Sequence, residues 1–240
     1  MRRRRHPTLT AVCIMRGMGD GQVQGVRGDI EALRYQAAKI AEGLRAAESD
    51  WRCSWTPADV LALHVAAGSV RPGGLLVEVG SGFSTGILAS SLPHETCRMM
   101  SFDVDERACE RARIALSTVG AQCEVVLGNA FLAGLKPGTA DVLHVDGEHG
   151  RAFALGCIRH LWPIVRCGGQ VIVHDMHDLP RSRGEFETVM GEVWGRGWQY
   201  KRTAFEPAGI DGWNEIPLAG PTTRNCILDV CAVDMRGLPV

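Results

Sequence analysis

Apolar residues at Ile30, Leu33, Ala37, Ile40, Ala41 and Leu44 recur at helical spacing with charges between them, which predicts an amphipathic helix over residues 29–48. Thr56 followed by Pro57 is a cap-and-first-turn signal, so a second helix is expected from there to about Ala67. From Leu75 the texture changes to short apolar runs without alternation, at residues 75–79, 99–104, 123–127, 142–145 and 171–173. Runs of this kind suit strands buried on both faces. Helical patterns at 84–91, 106–117 and 151–165 fill the gaps, and this alternation predicts parallel βαβ units. A further helix is expected near 184–195. Residues 198–205 and 226–233 follow with no helix-length pattern between them, so they are expected to pair antiparallel. The expected architecture is an α/β fold, a doubly wound, seven-stranded, mostly parallel sheet with helices on both faces. Residues 1–28 are expected to be a disordered or irregular tail, 29–70 a helical cap, and 71–240 a ligand-binding domain.

Composition narrows the functional classes. The 240 residues carry a formal net charge of -1, and four of the positive charges sit at positions 2–5, so the remainder carries -5. A mildly acidic body argues against a nucleic-acid binder. The arginines at 2–5 resemble the start of a secretion signal, but the apolar segment after them is short, contains Thr10 and is soon followed by Arg16. No apolar run is long enough to span a membrane. The nine cysteines are scattered and form no CxxC pair, as expected of a reduced, cytoplasmic protein without a zinc knuckle. The expected partner is a small molecule; the sequence leaves a homo-oligomer open.

In doubly wound sheets ligands bind beyond the carboxyl ends of the strands. The first strand runs into Glu78-Val79-Gly80-Ser81-Gly82-Phe83-Ser84-Thr85, a sharp turn that lets backbone approach a ligand, with Ser84 and Thr85 placed to cap the next helix. Asp103 ends the second strand, where a carboxylate can accept both hydroxyls of a ribose. A dinucleotide turn needs a third glycine where Thr85 stands. A sulfonium cofactor with a free ammonium instead suits an acid such as Glu78. These residues resemble the first cofactor motif of class I methyltransferases, which use S-adenosylmethionine (SAM). Ser84 stands where that motif usually has its third glycine. The resemblance implies that Gly80, Ser81, Gly82 and Ser84 line the methionine part, that Asp103 holds the ribose, and that Asn129 lies near the adenine. Asparagine at position 129 also suits an ordinary turn.

Two further segments carry candidate chemistry, Asp146-Gly147-Glu148-His149 after the fourth strand and His174-Asp175-Met176 after the fifth. Adjacent strand ends lie about 5 Å apart, so Asp146, His174 and Asp175 can converge as a divalent-cation site that lowers the pKa of an acceptor hydroxyl. His149, near the start of a helix, is placed to stay neutral and act as base. Capping carboxylates and a hydrogen-bonded histidine are the bland alternatives. Over residues 75–178 the pattern resembles metal-dependent sugar O-methyltransferases of macrolide pathways. That resemblance implies Asp146, His174 and Asp175 as metal ligands and His149 as general base. His174 replaces the family's usual Asp or Glu, which leaves magnesium, manganese or another metal open, with His177 or Asp178 as substitutes for His174. His64, His94, His144 and His160 read as structural. Trp213, in the loop 206–225, is either a stacking surface for substrate or a loop anchor, and Tyr35, Trp51 and Trp55 are candidates for a lid.

The expected function is a SAM-dependent, metal-assisted O-methyltransferase acting on a hydroxyl of a glycoside or other secondary metabolite. The rivals are a metal-independent methyltransferase, a nicotinamide-dependent oxidoreductase, and a non-catalytic SAM-binding protein.

Overall fold

The computed structural model describes residues 20–52, 55, 57–147, 151–174, 202–203 and 226–229. Helix α1 (Asp20–Ala47) and helix α2 (Pro57–Ala67) precede a βα alternation: β1 (Leu75–Val79), α3 (Phe83–Ser90), β2 (Arg98–Asp103), α4 (Glu106–Val119), β3 (Glu124–Leu127), β4 (Ala140–Val145), α5 (Arg151–Gly156) and β5 (Val165–Val173). Strands β6 (Arg202–Thr203) and β7 (Cys226–Asp229) complete one seven-stranded sheet in the order β3-β2-β1-β4-β5-β7-β6. β1 to β5 are parallel, whereas β7 runs antiparallel to β5 and to β6.

Burial follows the period-2 pleat. Every residue of β1 and of β4 is buried. Leu76, Val142 and Ile172 face a core shared with Leu33, Ile40, Leu44, Leu63 and Ile87 of α1, α2 and α3. Their neighbours Leu75, Val77, Leu143 and Val171 face the second core, under Ile158, Leu161 and Trp162. The N-terminal helices are therefore one layer of the sandwich, sharing its core with the sheet. α3 packs closely here: a Cβ on Gly86 would stand 2.8 Å from Ile40 Cδ1 and 3.0 Å from Ala115 Cβ.

Three boundaries differ from expectation. α1 starts at Asp20, so part of the expected irregular tail is helical; Gly21, Gly25 and Gly28, each a poor helix former, hide that extension in the sequence. The helix expected over 151–165 changes at Cys157 into a π turn and at Trp162 into a 3₁₀ turn, where Pro163 lacks an N–H to donate. β5 starts at Val165, well before the expected 171–173, and runs through Gly168 and Gly169; an added Cβ at Gly169 would lie 2.7 Å from the Asp141 carbonyl. The expected helix at 184–195 lies outside the described residues. No described helix is long and apolar enough to cross a membrane.

Candidate functional site

At the carboxyl ends of β1 and β4 the backbones nearly touch. Gly80 has φ +95°, and a Cβ there would fall 1.8 Å from the Asp146 carbonyl oxygen, so only glycine fits. The Asp146 N–H donates to the Val79 carbonyl at 2.7 Å, and the His174 N–H to that of Val145 at 2.9 Å. These bonds carry β1, β4 and β5 one step past the sheet and bring their loops to one rim.

Beneath the glycine turn lies a buried polar row set by strand register. Ser101 of β2 and His144 of β4 both stand opposite Glu78 of β1. All three are inaccessible to solvent. Glu78 Oε1 accepts from the Ser84 hydroxyl at 2.6 Å and faces His144 Nδ1 at 3.2 Å. Its Oε2 accepts from Thr85 and Ser101 hydroxyls, each at 2.6 Å. With the Ser101 proton directed at Glu78, the Ser81 hydroxyl at 2.7 Å donates to Ser101. Thr85 Oγ1 also accepts from the Gly82 N–H at 2.9 Å, capping α3. Glu78 therefore holds the turn from below. The carboxylate, expected to face a ligand's ammonium, is inaccessible to solvent and accepts from hydroxyls of the turn and of β2. Ser101 was missed as a member of this set because its register opposite Glu78 is a pairing property, absent from any local motif, and Thr85, expected only as a cap, donates to Glu78 as well.

Asp103 is half-buried beside the turn, with Oδ2 accepting from the Ser81 N–H at 2.8 Å and Oδ1 from the Asp105 N–H at 2.9 Å. Asn129 is exposed and accepts from the Phe131 N–H at 2.9 Å, so its carbonyl caps the short 3₁₀ turn Ala130–Leu132.

A cleft of about 420 Å³ opens above the turn. Ser81, Gly82, Phe83 and Ser84 form its floor, Asp146 lies on it, and Trp51 and Trp55 line it from the segment between α1 and α2. Arg107 and Arg111 of α4 close one side, both ion-paired to Glu48, with Arg111 Nε at 2.6 Å. The hydrogen bond from Arg111 is the largest influence on Glu48 and, against desolvation, holds its carboxyl down at about 2. Tyr35 lies elsewhere, exposed under Lys39.

Asp146 and His174 meet as expected of adjacent strand ends: Asp146 Oδ1 lies 2.9 Å from His174 Nδ1. A carboxylate accepts only, so Nδ1 carries the proton and donates. His174 is buried and stacks on Trp55, ring centroids 4.0 Å apart and planes at 22°. His149 and Asp175 lie outside the described residues, as do His177, Asp178 and Trp213. Among the described residues no group of three His, Cys, Asp or Glu side chains is placed to hold a metal ion.

The family model described as a methyltransferase domain matches residues 77–176, which span the glycine turn, Asp146 and His174. A search of curated protein sequences finds no significant match. Among solved structures, an O-methyltransferase from Bacillus cereus in complex with S-adenosylhomocysteine superposes with a TM-score of 0.58 at 16% identity, over 80% of this chain and 90% of that one. The O-methyltransferase TomG from Streptomyces achromogenes, involved in tomaymycin synthesis and in complex with SAM, gives 0.55 at 20% identity, over 81% and 89%. A SAM-dependent O-methyltransferase from Thermotoga maritima gives 0.56 at 12% identity, over 77% and 69%. Residues 77–176 are thus similar to a methyltransferase domain, and the chain shares the fold of the solved O-methyltransferases.

Proposed function

We propose that the protein is an O-methyltransferase that takes its methyl group from SAM and delivers it to a hydroxyl of a small molecule, a glycoside or related secondary metabolite. The observation that carries this reading is Asp146, a carboxylate held by His174 at the edge of a cleft floored by the glycine turn. The cleft volume of about 420 Å³ falls within the range of small-ligand sites. Ser81 and Gly82 offer backbone to the methionine part, Ser84 sets the turn from beneath, and the half-buried Asp103 carboxylate retains lone pairs for ribose hydroxyls. Asn129 is assigned to the adenine end. Bound there, SAM supplies an electrophilic methyl carbon.

The chain's residues then have to present an oxygen and remove its proton. Asp146 accepts a hydrogen bond from a neighbouring hydroxyl of the acceptor and so aims the reacting oxygen. His149, three residues further on, takes the proton as the oxygen–carbon bond forms and the carbon–sulfur pair returns to sulfur. The helical cap assigned to residues 29–70 contributes Trp51 and Trp55 to the cleft wall, and Trp51 there sorts acceptors of different shape.

A divalent cation is a second reading, favoured by the convergence of Asp146 and His174. These two groups bond to each other and fall short of a three-donor set, so a cation here requires Asp175 as well, and no step above is routed through it.

Calorimetry with SAM, S-adenosylhomocysteine and NAD tests the cofactor; micromolar-range binding of the first two is expected, and NAD binding alone overturns the proposal. Labelled-methyl transfer to glycosides and phenols tests the acceptor. His149→Ala is expected to slow turnover by about 10²–10⁴-fold, with the loss shrinking at high pH.

A further inference from the structure

Trp55 is nearly buried, yet it belongs to neither regular helix beside it, and it joins three parts of the site. Its indole stacks on His174 at 4.0 Å and on Phe83, the first residue of α3, at 6.3 Å, and it lies tilted over His144 at 5.8 Å. Phe83 in turn stacks on Trp51 at 6.2 Å. A column of rings thus runs from the end of β5, through the segment between α1 and α2, to the glycine turn. Two contacts among the described residues hold the His174 ring: the bond from Nδ1 to Asp146 at 2.9 Å fixes its in-plane orientation, and the indole face fixes the plane itself.

We propose that Trp55 is a positioning residue for methyl transfer: by stacking on His174 it fixes the imidazole that aims Asp146 into the cleft. This rests on the reading of Asp146 given above. The physical reason is geometric. Without the indole, rotation of the imidazole about its side-chain bonds would turn Nδ1 away from Asp146, and the carboxylate would lose the His174 bond that aims it. A misplacement of about 1 Å at a reacting group can cost as much as 10²-fold in rate. Trp55 does not touch the reacting atoms in this scheme, so its effect passes through His174. A consequence is that the N-terminal segment completes the catalytic arrangement of the sheet.

The test uses the full-length protein and the variants Trp55→Phe, Trp55→Leu, His174→Ala and the double variant Trp55→Leu with His174→Ala. The first readout is independent of turnover: the His174 imidazole resonances with S-adenosylhomocysteine present. A slowly exchanging Nδ1 proton and a ring-current shift are expected in the wild type. Both are expected to be retained in Trp55→Phe, with the proton exchanging fast in Trp55→Leu. The second readout is turnover of whichever glycoside is methylated in the acceptor screen. Trp55→Leu should lower kcat by about 10- to 100-fold with the KM for SAM nearly unchanged, and Trp55→Phe should recover most of it. The double variant should be no slower than His174→Ala. Wild-type kcat in a folded Trp55→Leu, equal kcat in the Leu and Phe variants, or additive losses in the double variant would each overturn the proposal. If the wild type methylates nothing in the screen, the function assigned above fails, while the resonance measurement still decides whether Trp55 fixes His174.

Discussion

Glu78 illustrates how much strand register adds to a motif residue. The carboxylate sits where an acid is expected before the glycine turn, but its oxygens are occupied by Ser84, Thr85, Ser101 and His144. Replacing it by Gln would set an amide N–H₂ against hydroxyl donors in a site with no water access. Glu78→Gln is therefore expected to cost about 1–3 kcal/mol in urea denaturation and to weaken SAM binding through the loosened turn. Asp103→Ala should leave the fold intact and weaken SAM by about 1–3 kcal/mol in calorimetry, through lost charge-assisted bonds. Equal affinity for wild type and Asp103→Ala would remove the ribose assignment. Gly80→Ala is expected to abolish binding, since the added methyl would occupy the Asp146 carbonyl.

At the scale of elements, the opposite end of the sheet is fastened by charge. Asp141, at the start of β4, is buried and accepts from Arg71 Nε at 2.6 Å, from Arg166 and, at 3.3 Å, from the Leu75 N–H. Burial pushes its carboxyl upward, but the bonds from Arg166 and Arg71 outweigh that and hold it below its ordinary value. A carboxyl lowered in the folded state stabilises above its unfolded pKa, and that contribution is lost as pH falls through the folded value. Asp141→Asn should therefore lower stability at neutral pH by about 1–3 kcal/mol, discounted for the exposure of Arg71, and the difference from wild type should narrow below about pH 4. Glu48 works the same way between α1 and α4. Its contribution is lost between the ordinary 4.5 and about 2, so Glu48→Gln should flatten that part of the acid limb. Denaturant titrations from pH 2 to 8 measure both; parallel curves for variant and wild type would contradict the ion-pair account.

For the whole molecule, the shared core of α1 and the sheet makes the N-terminal helices inseparable from the rest. Deleting residues 1–47 removes Leu33, Ile40 and Leu44 from the core around Leu76 and Ile87. The truncated chain is expected to lose cooperative unfolding and to bind hydrophobic dyes. A sharp, wild-type-like transition would show that the cap is dispensable. The cation question belongs to this scale too, because it depends on loops from two strands meeting. With a chelator, a metal-dependent enzyme loses turnover yet keeps SAM binding, and Asp175→Ala does the same; full turnover in chelator leaves Asp146 and His149 to act alone.

The sequence alone determined the alternation of strands and helices, the placement of the glycine turn and the arrival of Asp146 and His174 at neighbouring strand ends. All of these follow from local periodicity and from the fixed spacing of parallel strands. It also pointed to Asp103 for a ribose and left Asn129 between the adenine and an ordinary turn, whereas the backbone N–H bonds both accept appear only in the fold. Tertiary structure alone decided what those residues touch. Register placed Ser101 and His144 beside Glu78 and made its carboxylate a buried brace under the turn. Packing carried Trp55, distant in sequence, onto His174, and joined Glu48 to Arg107 and Arg111. Period and turn chemistry act over a few residues and can be read along the chain. Register and packing are settled by which buried surfaces meet, and only the folded core fixes that.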